Sequence, residues 1–170
     1  TPILNVQGGP KVTIRTVGAD IRQRRLRRYI PVFDIEEVNR DLLVLGARNL
    51  RDYFQGRGYF EAEGDFQVID AGADQQEIVY VVTQGPRYRL VDVIVQGNQY
   101  FDDESIRERM FLLPARFLVH RRGRYSEGLA RRDEEAIARL YQANGFRDAQ
   151  VAIQTTGRGA GTGGDVTAVV

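Results

Sequence analysis

Apolar residues recur along the chain first about every 3.6 and then every 2 positions, and this alternation predicts an order of helices and strands. The run Val12–Val17 is typical of a strand, and Ile21–Ile30 of a short helix. This helix is expected to stop near Pro31, because proline disfavours a helical conformation in the residue before it. A second helix is predicted to begin at Asp34, whose carboxylate can cap it, with Glu37 completing a capping box.

The second helix is predicted to bury one face and to end in glycine. Gly56 and Gly58 follow its last apolar position, and glycine tolerates the left-handed conformation that is common just past helix C-termini. Apolar residues at near-helical spacing make the expected buried face: Ile35, Val38, Leu42, Leu45, Leu50 and Tyr53.

After these glycines the period changes to two. Residues Phe60–Val68 alternate apolar and polar, which predicts a half-buried strand with one wet face. A turn is expected over residues 71–74. The next run, Ile78–Val82, is apolar on both faces, so we expect a central strand.

The second half of the chain repeats this order. The predicted elements are a strand over Tyr88–Val95, a helix capped by Asp102 or Asp103 and ending at Pro114, a helix capped by Ser126 and closed by Gly145, and strands over Phe146–Ile153 and Val166–Val170. Ile106, Met110 and Leu113 are the expected apolar positions of the first of these helices. The pattern predicts an α+β fold of tandem βααββ modules.

An internal repeat supports two modules. Residues 54–62 (Phe-Gln-Gly-Arg-Gly-Tyr-Phe-Glu-Ala) align with residues 141–149 (Tyr-Gln-Ala-Asn-Gly-Phe-Arg-Asp-Ala) at an offset of 87 residues. Gly9-Pro10 and Gly85-Pro86 each precede a β-rich run. We therefore expect modules at residues 10–85 and 86–170, with residues 1–9 as the last strand of a preceding module.

Composition excludes several kinds of site. The chain has 42% apolar and 28% charged residues, a net charge of +1 and no cysteine, which rules out disulfides, thiolate metal sites and a cysteine nucleophile. No apolar run approaches the roughly 20 residues of a membrane-spanning helix, and no signal peptide is visible. The chain lacks an initiator Met, so we expect a segment of a longer protein.

Two stretches of module two give the chain a family resemblance. The first is Val91–Asn98 (Val-Asp-Val-Ile-Val-Gln-Gly-Asn), and the second is Leu140–Phe146 (Leu-Tyr-Gln-Ala-Asn-Gly-Phe). With the Gly85-Pro86 turn and the recurring order of elements, the chain resembles the POTRA domains of BamA- and TamA-type outer-membrane assembly proteins. The resemblance implies a three-stranded mixed sheet covered by two helices in each module.

The resemblance also implies a function. Such modules sit in the periplasm before a C-terminal membrane β-barrel, bind unfolded outer-membrane proteins by β-augmentation, and dock accessory periplasmic lipoproteins. A dedicated secretion transporter with the same fold is the alternative. The second strand of each module is the expected edge, since an edge strand offers unpaired N–H and C=O groups. The expected edge residues are Phe60, Ala62, Gly64, Phe66, Val68, Phe146, Ala149, Val151 and Ile153.

Catalytic chemistry is not indicated. His120 is the only histidine, and no carboxylate or serine close in sequence could orient it. Asp102-Asp103-Glu104 lacks the ligand spacing of a calcium loop and fits a helix start better. Glu134-Glu135 is interpreted as a solvated helix face. We expect no enzyme activity, no metal and no cofactor.

Arginine clusters support a rival hypothesis from another class. Five arginines on the first short helix could bind phosphates of nucleic acid or anionic lipid, although a solvated face balanced by nearby acids is the favoured interpretation: Arg22, Arg24, Arg25, Arg27 and Arg28. No aromatic pair lies on a basic strand, so no nucleic-acid partner is expected. A second basic zone in module two could lie near a membrane leaflet as a secondary role: Arg121, Arg122, Arg124, Arg131 and Arg132.

Overall fold

Two three-stranded sheets organise the protein. The computed structural model describes residues 11–31, 39–70, 72, 75–116, 119–157 and 164–170. Its elements are β1 (Lys11–Val17), α1 (Gln23–Tyr29), α2 (Arg40–Gln55), β2 (Glu63–Asp70), β3 (Gln75–Thr83), β4 (Tyr88–Ile94), α3 (Asp103–Arg107), α4 (Glu127–Ala143), β5 (Gln154–Gly157) and β6 (Gly164–Val169). The predicted α+β fold with tandem βααββ modules is confirmed.

Both sheets are mixed and share one topology. The first has the order β1-β3-β2 and the second β4-β6-β5. In each, the third strand lies centrally, parallel to the first and antiparallel to the second. The predicted central strand is confirmed, because β3 buries residues on both of its faces, including Ile78 and Val79.

The chain divides into two compact units. The first contains residues 1–51 and 63–84, and the second contains residues 52–62 and 85–170. Each sheet lies in one unit. The last turn of α2 and the residues up to Ala62 belong to the second unit, so the unit boundary falls within a continuous helix.

Helix α2 buries a different face from the predicted one. Leu43, Ala47, Leu50 and Phe54 are buried at spacings of three or four residues, whereas the predicted Leu45 is 45% exposed. The buried face of α2 is therefore rotated around the helix axis by about one residue from the predicted face. The many apolar residues of this helix permit either face to be buried. The helix ends at Gln55 before the glycines, as predicted.

Close helix–sheet packing in the first unit depends on glycine. A Cβ at Gly64 of β2 would lie 2.6 Å from the carbonyl oxygen of Ala47 on α2. A Cβ at Gly46 would lie 2.5 Å from the Tyr80 hydroxyl. Tyr80 is fully buried, and its hydroxyl has no hydrogen-bond partner among the described residues. Burial raises the pKa of Tyr80 to about 12.

The helices of the second unit begin at the predicted caps. The Ser105 amide donates to Asp102 Oδ1 at 2.7 Å, and the Leu129 amide donates to Ser126 Oγ at 3.1 Å. The first of these helices, α3, is shorter than predicted and ends at Arg107. Met110 packs in the core from beyond the helix, so burial there does not require helical structure.

A buried carboxylate joins α4 to the segment after α3. Asp133 is fully buried, and its two oxygens accept hydrogen bonds from the Phe111 and Leu112 amides at 2.8–2.9 Å. Burial raises the pKa of the Asp133 carboxyl, and the two amide donors oppose that shift. These amides follow α3, where no helical partner satisfies them, and Asp133 supplies the acceptors.

Several predictions fall on residues that the structure does not describe. They are the preceding strand over residues 1–9, the helix start at Asp34 and Glu37, and the apolar positions Ile35 and Val38. The described part of α2 begins at Arg40, where Asn39 Oδ1 accepts a hydrogen bond from the Asp41 amide at 2.9 Å.

Candidate functional site: the sheet edges

Strand β2 lies at an edge of the first sheet. All eight of its residues pair with β3, from Glu63 opposite Thr83 to Asp70 opposite Gln76. Among the described residues no strand pairs with its other side. About half of the backbone groups of an edge strand point away from its partner, so β2 can accept a further strand.

Side chains on β2 change character along the strand. Gly64 and Phe66 are half-buried near α2, and the Phe66 ring lies 6.3 Å from the Tyr80 ring between centroids. Val68 and Ile69, nearer the end, are 45% and 40% exposed. Val68 was predicted to be buried, and Ile69 was not among the predicted site residues. The distal half of this edge therefore offers apolar side chains on both faces, as neighbouring residues of a strand point oppositely.

The predicted start of this strand is wrong. The strand begins at Glu63, and Phe60 lies in the preceding turn, where it is buried in the core of the second unit. Its ring stacks on Tyr88 at 5.8 Å and contacts Tyr125 at 4.7 Å between centroids. Ala62 is also buried, and its carbonyl accepts a hydrogen bond from Gln55 Nε2 at 3.2 Å. Neither residue is exposed for contact with a peptide.

The predicted strand over Phe146–Ile153 is also wrong. The edge strand of the second sheet is β5, which follows this segment. Gln154, the first residue of β5, pairs with Val169, and residues 146–153 precede the paired part of the strand. The predicted alternation of buried and exposed side chains is present at the end of the segment. Ala149, Val151 and Ile153 are half-buried, and the residues between them are exposed. The segment begins with a turn, in which the Ala149 amide donates to the Phe146 carbonyl at 3.3 Å, and within the described residues it has no hydrogen-bonded partner strand.

Aromatic residues line an open groove of about 740 Å³ beside this segment. Rings of Tyr100, Phe101, Tyr141 and Phe146 contact one another with centroids 4.8–5.7 Å apart. Tyr100 and Phe146 are 58% and 42% exposed. Glu134 holds the far end of the segment, because its carboxylate accepts a hydrogen bond from the Ile153 amide at 2.7 Å. The prediction that Glu134 belongs to a solvated face is wrong for this side chain.

The remaining candidate residues lie outside β2 and β5. The α1 arginines are exposed around the single buried residue Leu26: Arg22, Arg24, Arg25, Arg27 and Arg28. His120 lies in a loop and is half-buried. No group of three or more potential metal ligands occurs within the described residues. In the same part of the chain, no helix is long and apolar enough to cross a membrane.

The topology and its repetition agree with a family match in the second unit. Residues 88–170 match a family model described as "POTRA: Surface antigen variable number repeat". Residues 88–170 are a POTRA domain. The first sheet repeats the topology of the second, so the chain is a tandem of POTRA-like modules. POTRA domains are non-catalytic scaffold domains, and the predicted resemblance is confirmed. A comparison with curated proteins returned no match.

Two solved structures share the fold across almost the whole chain. POTRA domains 3–5 of BamA from Haemophilus influenzae align with 96% of this chain and 60% of that one, at TM-score 0.56 and 15% identity. BamA from Haemophilus ducreyi lacking POTRA domains 1–3 aligns with 96% of this chain and 29% of that one, at TM-score 0.61 and 17% identity. The chain thus spans less than two thirds of each structure.

Proposed function

We propose that this POTRA tandem is a periplasmic polypeptide-binding scaffold of an outer-membrane β-barrel assembly protein. It binds unfolded outer-membrane proteins by adding them as strands to its sheet edges, and it docks accessory periplasmic lipoproteins. In the full-length protein a membrane β-barrel follows it. The POTRA match and the shared fold with BamA support this assignment. A dedicated secretion transporter is the second candidate, with the same edges and a narrower set of clients.

The outer edge of β2 carries the proposal. It combines backbone groups that pair with no second strand in the described part of the chain and exposed apolar side chains at Val68 and Ile69. Backbone pairing accepts any extended sequence, while apolar contacts add affinity without demanding a particular residue. This combination suits a scaffold that handles many clients. In the second sheet, β5 and the segment before it form the second proposed edge, with Phe146, Ala149, Val151 and Ile153 as contacts.

A peptide titration tests the edge directly. The labelled chain is titrated with a short peptide that copies a strand of an outer-membrane protein, and amide shifts are followed by NMR. We expect shifts concentrated at β2 and β5 and tolerant of changes in peptide sequence. Val68→Lys should weaken binding by about five-fold, since a charge on an edge strand opposes strand addition and one cross-strand apolar pair contributes roughly 1 kcal/mol.

A matched variant on the opposite edge serves as the control. Val17 on β1 is 43% exposed, almost the same as Val68, and lies at the other edge of the same sheet. Val17→Lys should leave peptide binding unchanged. Equal losses in both variants would contradict binding at β2, and binding of a short RNA at the α1 arginines without peptide binding would favour the nucleic-acid hypothesis.

A further inference from the structure

A basic cleft in the second unit lies beside the first residues of β4 and β6, and residues of β5 do not line it. Its volume is about 750 Å³, and its lining brings together arginines from three separate stretches of the chain. These arginines and the one histidine, here named the arginine cleft, are Arg57, Arg87, Arg89, His120, Arg121 and Arg122. The sequence indicated only the 121–122 part of this zone, because residues 57 and 87–89 are distant from it along the chain.

The charge of the arginine cleft is largely uncompensated. Asp165 is the only acid in its lining, and it pairs with Arg89 through two hydrogen bonds of 2.9 and 3.0 Å. Within the described ranges, none of the other four arginines forms an ion pair with a carboxylate. The undescribed residues 117–118 and 158–163 contain no Asp or Glu. Five arginines against one acid therefore leave a strongly positive surface.

Two of these arginines are held in place by neutral groups. Arg57 donates to the Tyr53 hydroxyl at 2.9 Å, with its guanidinium 5.4 Å from the Tyr53 ring centroid. Arg87 donates to the Arg57 carbonyl at 3.3 Å and lies 5.3 Å from the centroid of Tyr59. Ring and carbonyl contacts orient a guanidinium without neutralising it. The charge is therefore positioned and remains available to an anion, for which guanidinium groups favour phosphate.

The rim of the arginine cleft indicates what carries the phosphate. Val119, next to His120 and Arg121, is 74% exposed, more than any other large apolar residue described as exposed. An apolar side chain beside arginines matches the interface of an anionic bilayer, where the apolar group enters the headgroup region and arginines contact phosphates. We propose that the arginine cleft docks the second unit onto an anionic phospholipid surface through the headgroup phosphates, with Val119 entering the interface.

Vesicle binding tests the proposal on the whole chain. Co-sedimentation is measured with phosphatidylcholine vesicles with and without phosphatidylglycerol. We expect binding only with phosphatidylglycerol, weakening as salt rises. Arg121→Gln with Arg122→Gln should lower the partition coefficient about 25-fold, at roughly five-fold for each arginine. Arg109→Gln with Arg139→Gln makes the same charge change at exposed positions of the same unit and should have little effect.

A fluorescence probe tests the apolar contact separately. The sequence contains no tryptophan, so Val119→Trp places a single indole at the rim. Its emission should shift to the blue with anionic vesicles and stay unchanged with neutral vesicles. The proposal fails if anionic vesicles do not bind, if both double variants lose binding equally, or if the indole does not shift. Binding of free pyrophosphate without vesicles would identify a soluble phosphate ligand, and tighter binding of a short RNA would identify nucleic acid; either result also overturns the proposal.

Discussion

Removing the Tyr80 hydroxyl should stabilise the first unit. The hydroxyl is buried and lacks a hydrogen-bond partner among the described residues. Burying such a group without a partner costs about 1–3 kcal/mol. Tyr80→Phe removes this cost and leaves a space of one atom, which forfeits about 0.5 kcal/mol of contacts. We expect a net gain of about 1 kcal/mol in the free energy of unfolding.

High pH should enlarge this difference. Burial raises the pKa of Tyr80 from 10.0 to about 12. Between these values the unfolded chain loses the phenolic proton while the folded chain keeps it, so the free energy of unfolding falls as pH rises. The stabilising contribution is complete below pH 10 and is lost by about pH 12, and two pKa units correspond to about 2.7 kcal/mol. Tyr80→Phe lacks this loss, so its advantage should grow over that range.

Hydrogen exchange of the β3 amides measures the stability of the first unit, and urea unfolding of the whole chain provides a second measurement. A companion variant checks the location of the effect. A Cβ at Gly46 would meet the Tyr80 hydroxyl first, so Gly46→Ala should destabilise the native chain more than the Tyr80→Phe chain. If Tyr80→Phe proves less stable than the native chain near neutral pH, the hydroxyl has a partner and the reasoning is refuted.

Three further substitutions test packing. Asp133→Ala should cost about 3 kcal/mol in urea unfolding, since two buried amides lose their acceptors, whereas Glu135→Ala on the exposed face should cost under about 0.5 kcal/mol. Gly64→Ala should lower the thermal midpoint of the first unit, because the added carbon would meet the α2 backbone; an unchanged midpoint would show that α2 can shift. Phe60→Ala should cost about 3–4 kcal/mol in the second unit and Phe146→Ala clearly less, and equal costs would contradict the assigned burial.

Local signals in the sequence predicted the elements well. Asp102 and Ser126 cap helices because a side-chain oxygen needs only amides two or three residues away, and both caps are present. The central position of β3 followed from apolar residues on both of its faces. The internal repeat predicted two modules of one topology, which the two sheets show.

Long-range pairing accounts for most of the errors. Whether residues 146–153 form a strand depends on which residues pair with β6. The apolar–polar alternation within the segment does not determine that register. Phe60 continued the alternation of β2 but turns into the core of the second unit. Asp133 was not among the predicted core or site residues, although it is fully buried. Its position three residues after Ala130 and four before Ile137 placed it on the buried stripe, and this signal could have identified it.

The unit boundary within α2 has a consequence for exchanging parts between related proteins. Sequence repeats suggest a cut near Pro86, but a piece beginning there would lack the aromatic ring of Phe60 and the side chain of Gln55, whose Oε1 accepts a hydrogen bond from the Glu127 backbone amide at 2.7 Å. A transplanted second unit therefore has to carry residues 52–62 of the same protein with it. Recombination that keeps this short segment with its own core should yield soluble chimeras more often than recombination at the repeat boundary.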